Sequence, residues 1–69
     1  MLTIKIKGAN SASKIAEIKP ILGKSHEFSC YWVDGWLCSD WWHRDEAHLA
    51  VTHLNLISGI QAEVVEMQR

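Results

Sequence analysis

Five side chains in the second half of the sequence are of types that bind metal ions. They are Cys30, Cys38, His43, His48 and His53. Thiolate and imidazole groups are the usual ligands of structural zinc sites. The two cysteines do not form a CxxC pair, and the three histidines recur every fifth residue, which on a helix turns successive imidazoles by about 140°. Because this spacing spreads the ligands apart, we expect no metal site.

A cysteine nucleophile is the second chemistry that the residue types suggest. Cys38 precedes His43, a possible base, by five residues. No third group stands out to orient the histidine, and no glycine-rich turn supplies an oxyanion hole. The four glycines fall where predicted strands, helices or the hairpin end, so none remains for a phosphate-binding loop. We therefore expect no catalytic residues and no cofactor.

The first third of the chain predicts a strand and then a short helix. Apolar and polar residues alternate over residues 2–7, as in a strand with one buried face, and Gly8 ends the pattern. Ser11 or a neighbouring polar residue offers an N-cap before apolar residues at helical spacing. Because Pro20 has no backbone N–H to donate, we expect this helix to kink or end near Lys19, with Gly23 closing the segment.

The middle of the chain predicts a β-hairpin. Residues 26–33 and 36–41 are mostly aromatic or β-branched, and the Asp34-Gly35 dipeptide between them is typical of a type I′ turn. A two-residue loop pairs Val33 with Trp36, and this register assigns the other side chains to two faces. The face expected in the core collects Phe28, Cys30, Trp32, Leu37 and Trp41. The opposite face collects Ser29, Tyr31, Val33, Trp36, Cys38 and Asp40.

The last third predicts an amphipathic helix and a final strand. The helix is expected over residues 43–58, with Ser39 or Asp40 as its N-cap and Gly59 as its C-cap. Its core-facing residues are Ala47, Ala50, Val51, Leu54 and Ile57. Alternating apolar residues over 60–65 then predict the strand.

The predicted elements follow the order βαββαβ. Two right-handed βαβ crossovers joined by a hairpin give a four-stranded antiparallel sheet, strand order 4-1-3-2, with both helices on one face. This α+β arrangement resembles the ferredoxin-like fold, and residues 1–69 are expected to form one compact domain. Since this fold carries many unrelated activities, the resemblance implies no particular function.

Charge and hydropathy disfavour two classes of partner. The net charge is −1, with an excess of four positive charges in residues 1–24 and of five negative charges in residues 25–69. Nucleic-acid binding depends largely on surplus cations, which this chain lacks. No apolar run approaches the roughly 20 residues that span a bilayer, and residues 1–7 do not form a signal-peptide block. We therefore expect a cytoplasmic protein that binds no membrane.

The sheet face away from the helices is the best candidate for function. Exposed strand positions are usually polar, whereas here they are apolar or aromatic, and tyrosine and tryptophan are common interface anchors. The predicted partner-binding residues are Tyr31, Val33, Trp36, Trp42 and Arg44. Leu49 and Leu56, seven residues apart on the back of the second helix, form a smaller apolar patch.

These features predict a small non-enzymatic protein-binding module of the inhibitor or regulator type, a format found among proteins of phages and mobile elements. Its partner would be another protein or a second copy in a homodimer. One alternative is a single-stranded nucleic-acid module on the same face, where Lys5 and Lys7 lie near the aromatic residues. The same lysines are also expected to pair with Glu63 and Asp40. Another alternative is a small enzyme or ligand-binding subunit whose site forms only in an oligomer.

Overall fold

The computed structural model describes residues 2–23 and 30–66. The elements are β1 (Leu2–Lys7), α1 (Ala12–Leu22), β2 (Cys30–Val33), β3 (Trp36–Trp41), α2 (Arg44–Leu54) and β4 (Gln61–Glu66). The strands form one antiparallel sheet in the order β2-β3-β1-β4, with the apolar sides of both helices packed against one face. The α+β, ferredoxin-like βαββαβ arrangement expected from the sequence is confirmed. No helix in these two described ranges is long and apolar enough to cross a membrane.

β1 is one of the two inner strands of the sheet and supplies the middle of the core. It pairs with β3 on one side and β4 on the other, and its alternate residues Leu2, Ile4 and Ile6 are buried beneath the helices. Fully burying an isoleucine or leucine contributes about 1.5–3 kcal/mol. The helices contribute the buried residues Ile18, Leu22, Ala47, Ala50 and Leu54 to the same cluster.

The hairpin joining β2 and β3 has the predicted turn and register. Asp34 and Gly35 have φ angles of 50° and 84°, both in the left-handed region that a type I′ turn requires. Val33 pairs with Trp36, and Cys30 pairs with Ser39 at the other end of β2. The predicted start of this strand, residues 26–29 with Phe28 and Ser29, lies outside the described residues.

α1 continues past the residue near which the sequence predicts a kink or an end. The Ser11 side chain accepts a hydrogen bond from the Lys14 backbone N–H and caps the helix as expected. The helix does not end near Lys19 but continues through Pro20 to Leu22, and Gly23 closes it as its C-cap, as the sequence predicts. Proline removes one backbone hydrogen bond, whereas continuing the helix places Leu22 in the core and lets Gly23 donate to the Lys19 carbonyl.

α2 is shorter than the sequence predicts at both ends. Its N-cap is His43 rather than Ser39 or Asp40, because the latter two residues belong to β3 and pair with β1. The C-cap is Asn55 rather than Gly59, and turns connect the helix to β4. The predicted core stripe is nevertheless correct, since its five members are buried or partly buried.

Asn55 joins the end of α2 to the outer edge of β4. Its side-chain amide donates to the Ala62 carbonyl at 3.0 Å, and its side-chain oxygen accepts from the Ala62 N–H at 2.8 Å. Asn55 therefore occupies both backbone groups of Ala62, a residue whose side chain is in the core.

We predict that Asn55→Ala lowers the free energy of unfolding by about 1–3 kcal/mol, because both polar backbone groups of Ala62 lose their partner. Urea unfolding monitored by circular dichroism measures the difference. Thr52→Ala is the matched control, since it removes an exposed hydroxyl bond to the His48 carbonyl on the same helix and should change stability by less than about 0.5 kcal/mol. Equal stability of Asn55→Ala and wild type would contradict the role given to Asn55.

Candidate binding surface

The face of the sheet away from the helices, here called the open face, receives alternate side chains of all four strands. Some of these side chains, from all four strands and the hairpin turn, surround an open concavity of about 320 Å³. The side chains lining this concavity are Thr3, Lys5, Tyr31, Val33, Asp34, Trp36, Cys38 and Val65. Of the predicted partner-binding residues, the structure therefore brings together Tyr31, Val33 and Trp36.

Tyr31 is held on the open face by a hydrogen bond to the neighbouring strand. Its hydroxyl donates to Asp40 Oδ1 at 2.8 Å, and the same oxygen accepts from the Thr3 hydroxyl at 3.0 Å. The bond to Asp40 is the main cause that raises the pKa of Tyr31, because the neutral phenol is the donor. The tip of the ring is thus fixed while 39% of the residue stays exposed.

Two lysines lie against Trp36. The ammonium groups of Lys5 and Lys7 are 4.6 Å and 5.5 Å from the centroid of its ring. Lys5 also lies 4.0 Å from a Glu63 carboxylate oxygen, as the sequence predicts. The expected pairing of Lys7 with Asp40 is wrong, because the register places Asp40 opposite Thr3, at the other end of β1 from Lys7.

Cys38 differs from its expected exposure. It lies on the open face but is only 4% exposed. Burial is the main cause that raises the pKa of the Cys38 thiol, against a smaller opposing effect of Lys5, and burial likewise raises the pKa of Cys30. A raised pKa lowers the fraction of each thiol that is thiolate at neutral pH. Over residues 2–23 and 30–66, no three or more histidine, cysteine, aspartate or glutamate side chains are grouped to hold a metal ion.

Trp32 also differs from its expected position. The sequence predicts it in the core with Leu37 and Trp41; the last two are buried, but Trp32 is 54% exposed. Its side chain does leave the sheet on the helix side, because it is paired with Leu37. β2 is an edge strand, and α2 packs on β1, β3 and β4 instead. The predicted strand order, which already makes β2 an edge, was the signal that could have identified this exposure.

The remaining predicted site residues lie elsewhere. Trp42 and Arg44 are exposed but follow the far end of β3, roughly 20 Å along the strand from Trp36, and Arg44 forms an ion pair with Glu66. Leu49 and Leu56 are both exposed. The prediction that these two leucines share the back of a helix is wrong, because α2 ends at Leu54.

Comparisons of the chain with protein-family models, with curated proteins and with solved structures found no match. The residues of the hairpin and the open face are therefore the basis on which a function is assigned.

We predict that Tyr31, the single tyrosine of the chain, ionises above the ordinary tyrosine pKa of about 10. Because the phenol must be protonated to donate, the stabilising effect of this bond is complete below pH 10 and is lost as the pH rises through the raised pKa. Titration of phenolate absorbance, with circular dichroism to establish that the protein remains folded, measures the pKa.

The Asp40→Asn variant tests the cause of that shift. Removing the negative charge should bring the pKa of Tyr31 back towards its ordinary value, whereas Asp45→Asn, in the exposed first turn of α2, should leave it unchanged. Identical titrations of wild type and Asp40→Asn would rule out the Tyr31–Asp40 bond.

Proposed function

We propose that this protein is a small non-enzymatic module that binds another protein through the β2–β3 hairpin and thereby inhibits or regulates it. The observation that carries the proposal is the exposure of three consecutive apolar or aromatic residues on β2. Tyr31, Trp32 and Val33 are 39%, 54% and 46% exposed. Tyr31 and Val33 are exposed on the open face, and Trp32 is exposed on the helix side of the same edge strand. Exposed apolar residues of this kind, with aromatic ones among them, are characteristic of interaction sites.

The hairpin presents these residues in a fixed arrangement. The two-residue turn sets the direction of each side chain, and the bond from Tyr31 to Asp40 restrains the phenol ring. A surface that is ordered before binding loses less conformational entropy when a partner arrives, so more of the contact energy appears as affinity. Tyrosine and tryptophan are also the residues that most often dominate interface energies.

The chemistry of the cysteines supports a binding role over a catalytic one. Both thiols are free and have raised pKa values, and they leave the sheet on opposite faces. We infer that the protein acts in the cytoplasm, where unpaired cysteines persist as thiols.

Single-stranded nucleic acid is the second candidate partner, since Lys5 and Lys7 lie beside Trp36 on the open face. A base stacks on an aromatic face, but here the two ammonium groups already lie over the ring. Trp32 leaves the sheet on the opposite side from Tyr31, so the aromatic residues do not make one stacking platform. These contacts favour a protein partner.

We predict that the Tyr31→Ala, Trp36→Ala double variant loses at least tenfold of the affinity for the protein partner, because two aromatic contacts at the centre of an interface are removed. Affinity capture from a native lysate identifies the partner, and titration with that purified partner measures the change. The double variant is first checked by circular dichroism to be folded.

Leu49→Ala with Leu56→Ala is the matched control, since it removes two exposed apolar side chains away from the hairpin. It should bind as wild type does. Capture that disappears after nuclease treatment, or that collapses between low and moderate salt, would identify nucleic acid as the ligand and refute the protein-binding proposal.

A further inference from the structure

The two edges of the sheet are protected to different degrees. β4 carries the carboxylates of Glu63 and Glu66, and Asn55 occupies the backbone groups of Ala62. β2, with the sequence Cys-Tyr-Trp-Val, has neither a charged residue nor a proline. Natural sheets usually guard an edge with such residues to prevent pairing with another chain. Among residues 2–23 and 30–66, no strand pairs with the outer side of β2, so β2 is the edge available to a further strand.

The turn determines which backbone groups of β2 point away from the sheet. In a two-residue hairpin the residues flanking the loop, Val33 and Trp36, exchange both hydrogen bonds, and hydrogen-bonded pairs then alternate along the strands. Tyr31 consequently bonds to β3. The N–H and C=O groups of Cys30 and Trp32 point outwards.

The hydrogen bonds at the opposite edge of the sheet, on β4, agree with this alternation of inward and outward backbone groups. Carried across β3 and β1, it makes Lys5 and Glu63 a hydrogen-bonded pair and directs the backbone groups of Ala62 outwards. These are the groups that the Asn55 side chain binds. The alternation of hydrogen-bonded pairs therefore holds at the β4 edge. This supports the outward direction deduced for the backbone groups of Cys30 and Trp32.

We propose that β2 pairs antiparallel with β2 of a second copy of this chain, about a two-fold axis at Tyr31. In this register Cys30 of each copy faces Trp32 of the other, and all the outward N–H and C=O groups of both residues are bonded. Centring the axis on Trp32 instead would place Cys30 opposite Asp34 in the turn, leaving fewer bonds. The two sheets become one sheet of eight strands.

The side chains of β2 suit a second copy. Because the strand has no charged side chain, two identical strands meet without like-charge repulsion. Trp32 of one copy lies beside the half-buried Cys30 of the other, on the helix side, so its exposed ring gains an apolar neighbour. The protection of β4 limits the assembly to a closed pair instead of an open-ended array.

The exposed area of the β2 side chains limits the affinity expected for the dimer. The exposed parts of Tyr31, Trp32 and Val33 amount to roughly 300 Å² in each copy, when a large aromatic side chain is taken as about 200–250 Å². A stable interface usually buries about 800 Å² per partner. The dimer is therefore weak and depends on protein concentration. It uses the β2 edge and covers part of the Tyr31, Trp32 and Val33 surface assigned to a protein partner, so the two contacts compete. The dimer does not rest on the proposed binding of another protein.

Sedimentation equilibrium of the full chain from about 10 µM to 1 mM tests the proposal. The mass should rise from 7.9 kDa towards twice that value. Trp32→Pro removes an outward N–H that β3 does not use, so it should remain monomeric. Trp32→Ala keeps the backbone groups and should dimerise more weakly than wild type. Gln61→Lys, a charge added to β4, should dimerise as wild type does.

Disulfide cross-linking tests the register of the β2–β2 pairing. It also tests the proposal if the Trp32→Pro variant does not fold. In a Cys30→Ser, Cys38→Ser background, which also removes the thiol paired with position 31 in the same hairpin, Tyr31→Cys places two thiols across the axis. They form a non-hydrogen-bonded pair, whose Cα atoms are about 4.5 Å apart and therefore within the range of a disulfide. It should cross-link on mild oxidation, whereas Val33→Cys in the same background should not.

A wild-type mass that stays monomeric at 1 mM, a folded Trp32→Pro variant that dimerises as wild type does, or equal cross-linking at positions 31 and 33 would each overturn the proposal. Mass in solution and partner capture are separate measurements, so failure of the protein-binding proposal would leave the result on the dimer interpretable.

Discussion

The left-handed turn between β2 and β3 is the constraint on which the surface of this protein depends. Asp34 and Gly35 both adopt positive φ, which closes the loop with two residues and fixes the register of the hairpin. A slip of one residue would move every side chain of β2 to the opposite face of the sheet. Tyr31 would then lose its hydrogen bond to Asp40. The backbone groups that point outwards from β2 would no longer be those of Cys30 and Trp32. One turn thus determines both the open face and the edge.

The position of β2 at the edge of the sheet explains why Trp32 is exposed. The helices cover β1 and its two neighbours, and β2 lies outside the part of the sheet on which α2 packs. Trp41 on β3 is buried on the helix side, whereas Trp32 on the same side of β2 is largely exposed. The exposure of these two tryptophans therefore depends on whether their strand is inner or at the edge, and not only on the face of the sheet on which the side chain lies.

Local patterns account for most of the secondary structure predicted from the sequence. Alternation identified β1, the Asp34-Gly35 dipeptide identified the turn, and the apolar spacing identified the core side of α2. The errors have tertiary causes. α1 continues past Pro20 because Leu22 is buried in the core, and α2 ends early where the Asn55 side chain binds the backbone of β4.

The sequence by itself determined the order of the elements, the hairpin register and the presence of Tyr31, Val33 and Trp36 on one face, because each depends on contacts between residues close along the chain or on simple periodicity. Only the tertiary structure decided that Trp32 is exposed and Cys38 is buried, and that within the described part of the chain the β4 edge is protected while the β2 edge is unpaired. Burial is a property of what packs above a residue, and those neighbours are distant in sequence.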